Sequence, residues 1–465
     1  MGISDPSTET PKSPLLRKRG NAPLAVSMLA FLIAIFSYQF NASMLSPALP
    51  SMATELHVSA EQISSTQTVF FASSAIFSLF LPSLGDSIGR KKTTIGMLAI
   101  STVGCIISAT APNLALLMLG RALQGVTGPI ISLCLLMLRN QVQDNRQYAR
   151  LLAIVTCTNG GIAGIDALAG GWLANASGYK SVFWTMAATG MLGIILISLS
   201  TRKSSLPEPT RMDWPGIGAL SVAVSTLLVA LTLLRSENIN FAVPAALCLI
   251  SIVGFTAFWK IEHASEHPLA PIPFLTRRST TTFLLTTTIA MSGVFALMNG
   301  IIPAFAQDEG NGLGMDAASS TLVTLVPYAI TGMATAILSG ILASRIGYIT
   351  VFRIGLATTA TVSAFGIFAV ITPSKGSIVA LSALLGIGYV GIVNIMINAL
   401  AVDLSPKTSP GLLPGLNAGA FNLASGISYL VLYGTQSAAG YAGSMATSSV
   451  ILLAAFAASL LIRRD

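Results

Sequence analysis

The 465-residue sequence predicts an all-α polytopic membrane protein, and three observations point there. Hydrophobic residues make up 53% of the chain and charged residues only 9%, whereas a domain folded in water carries about 25% charged residues on its surface. Fourteen apolar runs recur along the chain, and a run of about 20 residues is long enough to cross a hydrocarbon core of about 30 Å. The basic residues then divide by loop. With both termini on one side, 21 of the 25 Lys and Arg fall on that side, three (Lys180, Arg235 and Lys375) fall opposite, and Arg121 lies inside a run. Short cytoplasmic loops collect Lys and Arg, so both termini are expected in the cytoplasm, with the chain multi-pass in the cell inner (plasma) membrane. The formal charge of +8 is thereby explained as topology, and no nucleic acid is expected as a partner.

Residues 1–23 form a basic cytoplasmic tail ahead of the first run, 24–45, which is too long for a signal-peptide core and lacks a small-residue cleavage site. Runs at 65–84, 93–110, 114–138, 150–173 and 181–201 complete an N-terminal six-helix bundle over 24–201. A Pro-containing, charged linker, 202–213, leads into an inserted two-helix hairpin, 214–259, built from runs 214–234 and 240–259. After a second linker, 260–279, runs at 280–305, 319–340, 350–371, 377–400, 411–434 and 445–462 make a C-terminal six-helix bundle within 280–465. An internal repeat supports the division. Pro82-Ser-Leu-Gly-Asp86-Ser-Ile-Gly89 closes the second span of the first half, and Gly340-Ile-Leu-Ala-Ser344-Arg-Ile-Gly347 closes the second span of the last. Repeated halves with a site between them are a common plan of secondary transporters.

Several patterns carry no chemistry. Cys105, Cys134, Cys157 and Cys248 lie unpaired inside apolar runs and read as small packing residues. His263-Ala-Ser-Glu266-His267 spells a zinc pattern but sits in a polar linker running into Pro268 and Pro271. Gly386-Ile-Gly388-Tyr-Val-Gly391 lies inside a span, where close helix packing explains it better than a dinucleotide loop does, and the same reading covers Gly411, Gly415 and Gly419. With no phosphate-binding loop, ATP is not the expected energy source. No metal, cofactor or enzymatic residue is expected.

Gly85-Asp86-Ser-Ile-Gly89-Arg90-Lys91-Lys92 lies between spans two and three. Its glycines permit a tight turn, Asp86 can bond helix-terminal amides, and Arg90 can reach helix-terminal carbonyls. The segment resembles the signature loop of the major facilitator superfamily. Three further stretches resemble that superfamily's fourteen-span drug:proton antiporter branch: Leu119-Gly-Arg121-Ala-Leu-Gln124-Gly125-Val-Thr-Gly128, Asn41-Ala-Ser-Met-Leu-Ser-Pro-Ala48-Leu49-Pro50, and Gly160 to Gly171 with its end at Gly170-Gly171-Trp172. The chain departs from the pattern twice: Asn41 stands where the first-span motif has Asp, and Asp166-Ala167 stand where the fifth-span motif has Gly-Pro. The resemblance implies a major facilitator fold of two six-helix bundles plus two additional helices, working by alternating access.

Asp166 is the only acidic residue well inside any span, and Arg121 is the only basic one that deep. Span four runs inward and span five outward, and at 1.5 Å per residue both charges lie roughly 10 Å below the outer surface. An ion pair between them is expected, either as a permanent structural pair or as a proton-coupling pair in which Asp166 gains and loses a proton. In the superfamily fold, the first and fourth helices of each half line the cavity, here spans one, four, nine and twelve. These hold Tyr38, Gln39, Asn41, Gln124, Asn299, Tyr389, Asn394 and Asn398, and Asn159 of span five joins them as candidate substrate-cavity residues. Gly85, Asp86, Gly89, Arg90 and Lys91 are the candidate conformational loop. The reading is a monomeric, proton-coupled secondary transporter in the lipid bilayer, exporting a small organic or amphipathic compound in exchange for protons. A proton-coupled importer of a specific metabolite and a non-transporting sensor stand as alternatives.

Overall fold

The computed structural model describes residues 24–142, 144–200, 213–233, 241–265, 272–406 and 412–462, and among them the chain is helical with no strand. Eleven of the helices are long and apolar enough to cross a membrane. In chain order the helices are α1 (Leu24–Glu55), α2 (Ala60–Ile88), α3 (Arg90–Thr110), α4 (Leu114–Gln141), α5 (Asn145–Ser177) and α6 (Tyr179–Ser200). They continue with α7 (Trp214–Leu233), α8 (Ala242–Ala264), α9 (Arg278–Gln307), α10 (Ala317–Ile346), α11 (Tyr348–Ile371), α12 (Lys375–Asp403) and α13 (Leu412–Ser459). Their outer faces carry large apolar side chains such as Leu199, Ile337 and Phe368, a surface that only lipid solvates well.

Helix ends follow local chemistry. α2 begins five residues ahead of the apolar run at 65–84, because Ser59 and Gln62 form a reciprocal capping box, Ser59 Oγ accepting from Gln62 N at 3.1 Å. Asn113 caps α4 and Ser374 caps α12, each accepting from the backbone N–H three residues on, at 2.9 and 3.0 Å. The runs at 411–434 and 445–462 merge into α13, whose two limbs meet at Ala439 and Gly440, the latter at φ 66°. Ser444 Oγ donates back across this kink to Leu432 O at 2.8 Å.

Within α1–α6, α3 packs on α4 and α6 and α1 on α6; within α9–α13, α9 and α11 pack on α13, and α12 packs on α10. Helices α7 and α8 pack on one another, and α7 leans on α2. The sequence repeat is also a repeat of geometry. Gly89 joins α2 to α3 at φ 103°, and Gly347 joins α10 to α11 at φ 88°. A Cβ at Gly347 would meet nothing within 4 Å, so there the demand for glycine is purely conformational.

The helices that the polar pattern singled out share a second property. Phe40–Met44 in α1, Leu297–Ile301 in α9 and Gly386–Asn394 in α12 are π-helical, and Gly125–Thr127 in α4 is 3₁₀. Such turns cluster at functional sites, since they release backbone groups and redirect side chains. Gly386, Gly388 and Gly391 do serve close packing: a Cβ at each would approach Thr331, Thr359 and Thr335 within 2.7 Å. In the second stripe Gly419 also packs closely, a Cβ there lying 3.2 Å from the Leu79 side chain, but Gly415 corrects the expectation, because a Cβ there would meet nothing within 4 Å, and Gly411 lies outside the described residues. Cys105 and Cys134 are buried free thiols, as packing residues would be; nothing is described of the Cys157 side chain.

Candidate functional site

The polar centre is organised by the π-turn of α1. Its Asn41 is fully buried and meets Arg121 of α4 twice: Nη2 donates to the Asn41 carbonyl at 3.0 Å and Nη1 to Oδ1 at 3.4 Å. The guanidinium also donates to Gln124 Oε1 at 2.6 Å and Gln67 Oε1 at 2.5 Å, and lies 4.4 Å from the centre of the Phe70 ring. Gln124 in turn donates to Ser108 Oγ at 2.9 Å. Arg121 is thus held by neutral acceptors and an aromatic face, a coordination that disperses its charge without a carboxylate.

Two residues further along α1, Ser43 Oγ donates to Asp166 Oδ2 at 2.5 Å, and Gln39 Nε2 donates to Ser43 Oγ at 2.9 Å. Asp166 is 2% exposed, and its Oδ1 has no hydrogen-bond partner. The expected ion pair between Asp166 and Arg121 is therefore corrected. The π-turn of α1 serves both groups from separate residues, Asn41 toward Arg121 and Ser43 toward Asp166. Equal depth in the membrane fixed their heights, but the direction in which each helix presents its side chain decided the partner.

The remaining candidates fall into three places. Tyr38 donates across the two halves to Asn422 Oδ1 of α13 at 2.6 Å, and Asn422 donates back to Ser78 Oγ of α2 at 3.4 Å. Asn299 lies beside Tyr429, whose hydroxyl donates to the Asn299 carbonyl at 3.0 Å; Tyr389 donates to the Met291 sulfur at 3.3 Å and stacks on Tyr328. Asn394 is half-buried and Asn398 exposed, the amide of Asn398 bonding its own helix at Asn394 O. The Asn159 side chain lies outside the described residues. An aromatic ladder crosses the seam, from Tyr38 to Phe70, Phe71, Phe295 and Tyr429, with consecutive ring centres 4.9 to 6.4 Å apart.

Gln67, Ser43, Asn422 and Phe70 had not been singled out from sequence. Gln67 and Asn422 carried a readable signal, an uncharged amide inside an apolar run. Ser43 carried none, since serines are common in these helices and back-bond to their own turn.

The candidate loop closes one end of the bundle, here termed the basic face. Arg90 Nε pairs with Asp86 at 2.8 Å and its Nη1 reaches Leu136 O at 3.4 Å, while Lys91 Nζ reaches Ser198 O at 2.7 Å near the end of α6. Arg90 therefore reaches a helix carbonyl as expected, but Asp86 binds Arg90 rather than helix amides. At the opposite end, the far face, the halves touch. Asn175 at the end of α5 donates to Asp316, and Ala317 N donates to Asn175 Oδ1 at 3.3 Å. Asp316 caps α10, and hydrogen bonds from the Ser319 side chain and backbone, with others from Asn175 and Ala318, pull its carboxyl down to about 2. A Cβ at Gly171 would lie 2.8 Å from Ala317 O, so the glycine lets α5 and α10 approach backbone to backbone.

This geometry offers aromatic faces and amides along a seam between two halves, with one carboxylate close by. The chain's relatives fit it. A sequence profile of the Major Facilitator Superfamily matches residues 31–429. The chain is 46% identical over 449 residues to the uridine/deoxyuridine transporter of Lactococcus lactis subsp. cremoris (strain MG1363), covering 94% of each chain. It is 24% identical over 321 residues to the multidrug transporter protein MdtP of Bacillus subtilis (strain 168), covering 68% of this chain and 58% of that one. In fold it is similar to the crystal structure of an auto-inhibited POT family peptide transporter, with a TM-score of 0.65 at 16% identity over 94% of this chain and 97% of that one.

Proposed function

This chain belongs to the Major Facilitator Superfamily and is a membrane transporter rather than an enzyme, and from that premise we propose that its substrate is a pyrimidine nucleoside carried by proton-coupled alternating access. The observation that carries the substrate is the 46% identity, over 94% of both chains, to a uridine/deoxyuridine transporter. The drug-exporter reading has less behind it: the multidrug relative is 24% identical, over 58% of its own length, and the two motif departures fall at Asn41 and Asp166. We therefore favour the importer over the antiporter, with nucleoside and proton moving together.

The aromatic ladder supplies faces on which a planar base stacks, and Gln67, whose Nε2 has no protein partner, supplies an amide donor for an acceptor on its edge. Asp166, with one bonded and one unpartnered oxygen, is the proton carrier, and Ser43 positions it. Arg121 holds the π-turn of α1 in register with α4 and does not act as a counter-ion. The basic face is cytoplasmic, by the distribution of Lys and Arg. Fourteen crossings account for the chain: the eleven apolar helices with α13 counted as two limbs, together with α5 and α7. Each chain encloses its own path between two halves, so a monomer suffices.

Purified protein in vesicles, given an inwardly directed proton gradient and labelled uridine, tests this. Concentrative uptake competed by deoxyuridine is expected. Uridine moving against the proton flow would reverse the direction, and the absence of saturable uridine movement would refute the substrate.

A further inference from the structure

A cleft of about 220 Å³ opens between the halves at the far face, separate from the Arg121 and Asp166 cluster. One wall is apolar, formed by Leu49, Pro50 and Ala60 of α1 and α2. The other is polar, formed by Gln307 of α9 with Tyr433 and Gln436 of α13. Its rim is fixed: Asp308 accepts from the backbone N–H groups of Gly310 and Asn311 at 2.8 and 2.9 Å, and from the Tyr441 hydroxyl at 3.0 Å.

Tyr433 marks the cleft as a ligand site. It is 1% exposed, and its hydroxyl has no hydrogen-bond partner. A buried phenol left unpartnered costs free energy that a bound acceptor or donor would recover. Packing alone would be served as well by phenylalanine. The same cleft is lined by two primary amides, Gln307, whose Nε2 donates to Pro303 O at 3.2 Å and leaves its carbonyl oxygen to accept, and Gln436. Amides offer N–H and C=O together and so match the imide edge of a uracil ring, which presents one N–H between two carbonyls. The apolar wall opposite covers a flat ring face. The volume is below the roughly 300 Å³ at which pockets for drug-sized ligands begin, which suits a base or nucleoside rather than a large amphipathic drug.

We propose that this far-face cleft is a second binding site for a uracil-bearing molecule, read by Gln307, Tyr433 and Gln436. Because its walls come from both halves, the site exists only while the far face is closed. A ligand bound there stabilises that state by its differential affinity and slows reopening. The choice of uracil rests on the nucleoside reading above; the site itself rests on the cleft.

Equilibrium binding of labelled uridine to the purified chain tests it. Ala60→Trp fills the cleft from an exposed position at the start of α2, and Gln436→Leu removes one amide without adding bulk. Two uridine sites per chain are expected in the wild type and one in either variant, with thermal midpoints unchanged in the absence of ligand. A single wild-type site that both variants retain would overturn the cleft while leaving the transporter reading intact. No uridine binding in the wild type would overturn the nucleoside reading and, with it, the ligand assigned here.

Discussion

Gly171→Ala should bias the molecule toward a far-face-open state without unfolding it. A Cβ at this position would sit 2.8 Å from the carbonyl oxygen of Ala317, 3.0 Å from Thr321 Oγ1 and 3.1 Å from the Ala317 carbonyl carbon. The nearest of these atoms belongs to the first turn of α10 and cannot rotate aside, so the halves themselves must part. Overpacking of this kind costs about 1–3 kcal/mol. The cost arises only while α5 and α10 touch, so it falls on the closed state alone and shifts the conformational equilibrium roughly 5–150-fold. Ala48 reports the shift: it is fully buried in a 3₁₀ turn of α1 that packs against α9 and α10. In a chain with its native cysteines replaced, Ala48→Cys should react with a membrane-impermeant thiol reagent faster by that factor when Gly171→Ala is added, and uridine uptake should fall because the cycle closes less often. Gly340→Ala, where a Cβ meets nothing within 4 Å, is the control. Equal labelling rates in the two glycine variants would refute the claim that this contact gates the far face.

Asp166→Asn should abolish proton-driven accumulation of uridine while leaving folded protein in the membrane; undiminished accumulation under a proton gradient would remove Asp166 from coupling. Tyr38→Phe deletes the cross-half bond to Asn422, and Asn422→Ala deletes that same bond together with the one to Ser78, each worth about 0.5–1.5 kcal/mol, and thermal unfolding in detergent should show the double variant losing less than the sum of the singles. Asp316 has its folded pKa lowered to about 2, below the roughly 3.9 of a free aspartate. Its contribution to far-face closure is thus complete above the unfolded value and lost only as pH falls toward the folded one. Measured in an Asp166→Asn background and divided by the rate for free cysteine at the same pH, which removes the rise in thiolate, labelling of Ala48→Cys should therefore be flat from about pH 5 to about pH 8, a window above both values, and a rise in that ratio would contradict the cap. Gly347→Ala forces a side chain onto φ 88°, at a cost of about 1–3 kcal/mol, and should lower the thermal midpoint although no atom stands in its way.

What the sequence could say about this molecule was what a one-dimensional pattern can carry. Apolar length predicts helices that cross lipid, because no other backbone arrangement except a closed barrel satisfies its hydrogen bonds there. The pairing of Gly89 with Gly347 was readable for the same kind of reason: a turn that only glycine adopts leaves glycine behind in both halves. The amides and tyrosines of α1, α4, α9 and α12 were readable because burying them in lipid is costly unless they serve a seam, and among the described residues those helices are the ones with π or 3₁₀ turns. The Asp166 and Arg121 pairing failed at the next dimension. Residue number gives height along a helix at 1.5 Å per residue, but azimuth advances 100° per residue, and a π-turn shifts it again. Two charges at one depth are then neighbours or strangers according to a rotation that no count of residues reports. Here the π-turn in α1 placed Asn41 against one charge and Ser43 against the other. The same turn explains why Asn41 can replace the aspartate of the related motif. With Gln67 and Gln124 completing the ring, both terminal nitrogens of Arg121 meet neutral oxygens, and the acid proposed to carry the proton stands on α5, at Asp166, outside any ion pair with Arg121.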